Sequence, residues 1–248
     1  MNIYTIADLH LSFGVENKAM DVFGRRWENH QARLAEAWRE TVGEDDLVVI
    51  PGDISWAMTS EEVLPDLKFI ESLPGRKIIM KGNHDLWWGT KSKLEGLVKE
   101  NGIEGISFLY NEAIYIEEND VSICGTRGWN CPGSQDFTRQ DEKVYRREVM
   151  RLERSLSEGR KMSGNLLAFM HFPPANDAET PTGFTEALER FGVRHCYYGH
   201  LHGYAQKDAL IGRMAEDSVT EYSLVASDYL DFRPHIVMTA GGDEYNVY

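Results

Sequence analysis

Apolar side chains fall along this chain in short unbroken runs, and each run stops abruptly on polar residues. Five of them are IYTIA (3–7), LVVI (47–50), KIIM (77–80), LLAFM (166–170) and HCYY (195–198). As a set they are rich in Ile, Val and Leu and lack a polar alternation, which predicts strands covered on both faces. Between them the period becomes helical. Residues 28–42 gather Leu34, Ala37 and Trp38 on one face. Residues 59–73 open on Thr59-Ser60-Glu61-Glu62, the spacing of a capping box, and continue with Val63, Leu67 and Ile70. Pro65 lies inside this stretch and is expected to kink or delay the helix. The clearest helix is 139–158, with Tyr145, Val149, Leu152 and Leu156 on one face and a dense Arg/Glu face read as solvated.

Residues 106–124 read as a hairpin of ISFLY, AIYIEE and VSICG, with turn chemistry at Asn111 and Asn119-Asp120. Further strand-like runs, YSLVA and HIVM, lie within 218–240. No internal repeat, Gly/Ser linker or shift in composition divides the chain, so one layered α/β domain is expected over residues 1–248.

Composition changes this picture little. At 42% hydrophobic and 27% charged, the 248 residues fit a globular protein and not a disordered one. No apolar run approaches the ~18 residues of a membrane span. The first ten residues, MNIYTIADLH, carry no basic leader, so no signal peptide is expected and the cytoplasm is the expected compartment. Cys124, Cys131 and Cys196 form no CxxC and leave an odd count, which fits buried or incidental thiols in a reducing compartment. A net charge of −14 argues against a surface built for nucleic acid. It does not exclude a small anionic substrate, because bound metal reverses the local field.

The candidate chemistry lies where the strands stop. IYTIA runs into Asp8-Leu9-His10, LVVI into Pro51-Gly52-Asp53, and KIIMK into Gly82-Asn83-His84-Asp85. LLAFM runs into His171, and HCYY into Gly199-His200-Leu201-His202. In open α/β sheets the C-terminal strand ends are where ligands bind. Each motif alone is more often structural, but five strands delivering Asp, Asn or His to one edge point to a metal site. Imidazole mixed with carboxylate and amide oxygen suits Mn, Fe or Zn better than Mg or Ca. The glycines at 52, 82 and 199 allow the backbone to turn and approach closely.

These motifs, in this order, resemble those of the calcineurin-like metallophosphoesterase superfamily: DxH, GD, GNH[DE], a lone His and GHxH. The resemblance spans residues 8–202 with every motif intact. It implies a four-layer sandwich of two mixed β-sheets packed face to face, flanked by helices, with two divalent metal ions at the C-terminal strand ends. Asp8, His10 and His202 would hold one ion, Asn83, His171 and His200 the other, and Asp53 would bridge them. Two divalent ions outweigh the two carboxylates and a bridging hydroxide, leaving a net cationic centre for a phosphate group. The implied activity is hydrolysis of a phosphomonoester or phosphodiester in a small phosphorylated substrate, a nucleotide being within that class, by attack of a metal-bridging hydroxide. His84 is the candidate to protonate the leaving oxygen, and Asp85 to orient its ring or, alternatively, to fix the loop.

The family's protein Ser/Thr phosphatases carry GDxxDRG and GNHE. Here the stretches are Gly52-Asp53-Ile54-Ser55-Trp56-Ala57 and a GNH ending in Asp85, which argues against a protein substrate. Trp56, Trp87, Trp88, Trp129 and Phe172 crowd the motifs and either pack the loops or stack on substrate. Arg25, Arg26 and Arg127 are candidates for phosphate contact or plain surface residues. A non-catalytic scaffold on the same fold and a nuclease of the same superfamily are the alternatives. The first is disfavoured by the complete ligand set and the second by the acidic charge. The sequence leaves the oligomeric state open.

Overall fold

The apolar runs become strands covered on both faces, and the alternation of their side chains shows what covers each. The structure is a computed structural model that describes residues 1–176, 178 and 180–242. The expected domain over 1–248 therefore includes a short stretch, 243–248, outside the described residues. Strands β1 (Ile3–Thr5), β2 (Leu47–Ile50), β3 (Arg76–Ile79) and β4 (Ile106–Phe108) lie side by side in parallel. Strands β5 (Ile114–Ile116), β6 (Val121–Thr126), β7 (Leu166–Met170), β8 (His195–Tyr198) and β9 (Glu221–Leu224) form a second sheet in that order. In it only β5 is antiparallel to its neighbour. Strand β10 (His235–Met238) returns to the first sheet antiparallel to β1, giving the order β10-β1-β2-β3-β4.

Helices α1 (His30–Thr41), α2 (Ser60–Glu71) and α3 (Lys91–Glu100) cover the outer face of the first sheet. Helices α4 (Asp141–Met162) and α5 (Gly183–Arg190) cover that of the second. Within β2, Val48 and Ile50 face α1 and α2, while Leu47 and Val49 face the other sheet. Within β7, Leu166, Ala168 and Met170 face α4 and α5, while Leu167 and Phe169 point inward. Three apolar layers thus separate four layers of secondary structure, the sandwich that the motifs implied. No described helix is long and apolar enough to cross a membrane.

The structure redraws the segment 106–124. β4 does not pair with β5; it pairs with β3 in the first sheet, and only β5 and β6 form a hairpin. The chain passes from one sheet to the other across residues 109–113. Apolar pattern identifies strands, but nothing local says which sheet edge a strand will join. Helix α2 begins at the expected box: Glu62 N donates to the Thr59 hydroxyl, and Glu62 Oε2 accepts from Thr59 N, each at 3.3 Å. It also continues through Pro65 to Glu71. Burying Val63, Leu67 and Ile70 is worth about 1.5–3 kcal/mol each, which outweighs the roughly 3 kcal/mol penalty of an interior proline. Two short helices, α3 and α5, lack the long periodic pattern that marks α4. On α4 the charged face is not wholly solvated, since Glu148 is 1% exposed. The three cysteines are buried, and burial pushes the Cys124 thiol up to about 12.

Candidate metal centre

The loops that leave the strands are held in conformations that L-residues seldom adopt. Asp8 (φ 61°) and His10 (φ 45°) after β1, Asp53 (φ 51°) after β2 and His200 (φ 74°) after β8 are all left-handed. Such strain persists where neighbours over-determine it. Here Asp8 N donates to Gly52 O and His10 N to Asp53 O, both at 3.0 Å, zipping the first loop to the second. Two glycines let the backbone reach the carboxylates. A Cβ on Gly82 would lie 2.0 Å from Asp53 Oδ1, and one on Gly199 2.4 Å from Asp8 Oδ2. Only hydrogen fits at either position.

The expected ligands converge. Ligand atoms of Asp8, His10 and His202 lie within 4.8 Å of one another, as do those of Asp8, Asp53 and His171. His10 Nε2 is 3.2 Å from His202 Nε2 and 3.8 Å from Asp53 Oδ2. His171 Nε2 is 2.7 Å from Asn83 Oδ1 and 3.5 Å from Asp53 Oδ1. The His200 ring centroid lies 5.1 Å from that of His171, and its backbone N donates to Asp8 Oδ2 at 2.9 Å. The first sheet supplies Asp8, His10, Asp53 and Asn83, and the second supplies His171, His200 and His202.

This donor set fits cations. His171 Nδ1 donates to Pro51 O at 3.2 Å. Burial, first of all, holds the ring neutral by pulling its pKa down to about 3. Its Nε2 therefore presents a lone pair to two oxygens, an arrangement that is repulsive until a positive ion lies between them. Burial likewise takes His200 down to about 2 and His10 well below the usual range. Asp8 Oδ1 is fully buried with no hydrogen-bond partner, and burial raises both Asp8 and Asp53 above the ordinary carboxylate range. Burial alone would lower His202, but Asp228, Asp8 and Asp53 outweigh it and raise the ring. Burial thus keeps His10, His171 and His200 unprotonated, the state in which an imidazole can hold a cation.

His84 stands at the mouth, its side chain 42% exposed, with Nε2 4.0 Å from Asp53 Oδ2. Its ring packs on Trp56 at 4.4 Å, and its backbone N donates to Asp53 Oδ1 at 2.8 Å. Asp85 is placed differently from the expectation that it orients this ring. Its Oδ1 accepts from Ile54 N, Ser55 N and Trp87 Nε1, and its Oδ2 accepts from Gly82 N. None of its hydrogen bonds among the described residues reaches His84. These are the contacts of a loop-fixing carboxylate, the alternative reading of that position. Buried donors satisfied first leave no lone pair aimed at an exposed ring.

The residue missed by sequence reasoning is Asp228. Its Oδ1 accepts from His202 Nδ1 at 2.7 Å and its Oδ2 from Gly203 N at 3.2 Å, fixing the tautomer and tilt of that ring. The signal was present, because Asp228 follows the YSLVA run as Asp8 and Asp53 follow theirs. Among the aromatics, Trp56 stacks on His10 at 5.1 Å, whereas Trp87 is buried in the core beneath α3. Trp129 donates to Asp141 Oδ1 at 2.8 Å. Phe172 packs against His200 at 4.2 Å. Arg25 and Arg26 are exposed, and Arg26 bonds Gln206.

Comparisons with known proteins bear on the fold and the family. The Gene 66 proteins of Mycobacterium phages L5 and D29 are 41% and 38% identical over 88 and 84 residues, each match covering 34% of this chain. The chain spans 40% of the length of each of these relatives. Among solved structures, the phosphopantetheinyl hydrolase of Mycobacterium tuberculosis superposes with a TM-score of 0.54 at 16% identity. A protein of unknown function from Aquifex aeolicus superposes at 0.50 and 13%. Both superpositions cover 95% of either chain and carry the fold alone. The family model for calcineurin-like phosphoesterases matches residues 1–204, through the last of the converging ligands, and the chain belongs to that family.

Proposed function

We propose that this protein is a dinuclear metal-dependent phosphohydrolase that cleaves a phosphomonoester or phosphodiester bond in a small phosphorylated molecule. The observation that carries the reading is the convergence of ligand atoms from six side chains, Asp8, His10, Asp53, Asn83, His171 and His202, with the His200 ring 5.1 Å from that of His171. Asp8, His10 and His202 are positioned to hold one ion, Asn83, His171 and His200 the second, and Asp53 both. When bound, two divalent ions supply an activated water and positive charge against the phosphoryl oxygens.

The rest of the chemistry belongs to the chain. Asp228 holds the His202 ring so that its Nε2 faces the centre. Asp85 fixes the Gly82–Asn83 turn by accepting from Gly82 N at 2.7 Å. Trp56 and Asp53 position His84 at the open side, where its ring can donate a proton to the departing oxygen of the ester. No protein nucleophile is required.

The test is hydrolysis of p-nitrophenyl phosphate and its bis ester by Mn²⁺-supplemented protein, with metal content measured in parallel. Turnover of either ester supports the reading. Bound metal with turnover of neither overturns it in favour of a scaffold on the same fold.

A further inference from the structure

One strand away from the metal ligands, at the same C-terminal edge, the chain lines a second cavity of about 240 Å³. It opens where β3 ends in Met80-Lys81, β4 in Leu109-Tyr110-Asn111 and β6 in Thr126-Arg127, and α4 forms its far wall. The charged residues lining it are Lys81, Arg127, Arg147, Arg151 and Glu148. Four cations thus face one carboxylate, in a protein whose net charge is −14.

Glu148 does not account for this excess. Its carboxylate accepts from the Thr126 hydroxyl at 2.7 Å, from Arg151 Nη1 at 2.6 Å and from Arg127 Nη2 at a long 3.5 Å, with Arg147 Nε at 4.0 Å. Arg127 is held over the Trp129 ring at 4.5 Å, and its Nε is buried without an acceptor. The Lys81 ammonium makes no side-chain hydrogen bond or ion pair among the described residues, with Asp85 and Glu148 attracting it only at longer range. Gathering like charges around a partly buried cavity is unfavourable unless an anion compensates them.

The cavity also shares its walls with the metal centre. Lys81 precedes the ligand Asn83 by two residues, and the Arg127 carbonyl accepts from His171 N at 3.2 Å and Phe172 N at 2.9 Å.

We propose that this cavity is a second oxyanion site, which binds a second phosphate group of a substrate whose scissile phosphate sits at the metal centre. The inference rests on the phosphohydrolase reading for the first phosphate and on the cavity alone for the second. A net excess of three positive charges suits a phosphate dianion better than a single carboxylate, and arginine forks match its oxygens.

The experiment uses the Mn²⁺-loaded full chain and a series of alkanediol bisphosphates of increasing length. Each is compared with the alkyl monophosphate and the ω-carboxyalkyl phosphate of the same length. At the length that spans the two sites, kcat/KM for the bisphosphate should exceed that for the monophosphate by about tenfold or more, the worth of one or two charge-assisted hydrogen bonds. That ratio should collapse in Lys81→Gln, which has no ion pair to lose, and in Arg147→Gln. No preference at any length, or one that survives both substitutions, overturns the proposal. A preference for the carboxylate over the bisphosphate overturns the assignment to phosphate.

If no ester is turned over, the phosphohydrolase reading fails, and calorimetry decides the cavity separately. Pyrophosphate is then titrated into the metal-free full chain. Affinity about tenfold weaker in both variants upholds the site, and equal affinity overturns it.

Discussion

At the scale of single residues, the centre separates groups that hold charge from groups that present it. Asp53 lies against both halves of the donor set, whereas His84 meets that set only from its open side, with its backbone N donating to Asp53 Oδ1 and its Nε2 4.0 Å from Asp53 Oδ2. Asp53→Asn should therefore abolish both metal binding and turnover, whereas His84→Ala should keep its metal and lose about 10²–10⁴ in rate. Loss of metal from the His84 variant would show that its ring is a ligand. Asp228→Asn should weaken metal affinity by about 10–100-fold, the usual worth of a carboxylate behind a histidine ligand, with the melting profile of the metal-free protein little changed. Asp66 offers a pH test away from the metal. It is fully buried, accepting from Phe13 N at 2.7 Å and from the Ser55 hydroxyl. Burial raises its pKa from 3.8 to about 6. Folding favours its protonated form, so that contribution is complete below about pH 3.8 and is lost as pH rises through about 6. In urea titrations of metal-free protein, the stability of Asp66→Asn relative to wild type should improve across that window by up to roughly 3 kcal/mol.

At the scale of elements, the long helix α4 illustrates how packing overrules propensity. Gly159 sits in its last turns, and glycine there costs about 1 kcal/mol relative to alanine on helix propensity. Yet a Cβ at this position would lie 2.4 Å from Cys124 Sγ on β6 and 3.1 Å from Leu166 on β7. Overpacking of that kind costs about 1–3 kcal/mol. Gly159→Ala should thus lower stability by denaturant midpoint, and a gain would mean that the helix can shift outward. The elements themselves were legible to different degrees. The five strands that carry the motifs and the helices with long apolar faces show in the pattern, because each buries a stripe that local periodicity records. The helix α3 has only Leu94 and Val98 buried, too few to set a period. The switch of sheets after β4 was illegible, because ISFLY and AIYIEE have equal claims to either edge.

At the scale of the whole molecule, the two sheets meet at the ligand edge. A bridge pairs Ala7 beyond β1 with Ala226 beyond β9, and Ala7 N donates to Val225 O at 2.8 Å. Because each sheet contributes candidate ligands, bound metal should fasten one half to the other. Mn²⁺ should raise the melting temperature with the logarithm of its concentration, the added stability reaching about 2.7 kcal/mol at a hundred times Kd. The rise should vanish in Asp53→Asn; an equal rise there would place the stabilising ion elsewhere. By itself the sequence determined which side chains stand at the strand ends, since each lies within a few residues of its own apolar run and the motif is local. It likewise determined the layered class, through strands apolar on both faces. Only the tertiary structure decided what those side chains face. Asp85 meets donors 30 and 31 positions away at Ser55 and Ile54. Asp228 comes back 26 positions to His202, and Arg127 joins Lys81 beside a helix. Such pairings depend on which loops the packed sheets bring together, and a pattern with a period of two or of 3.6 residues carries no record of them.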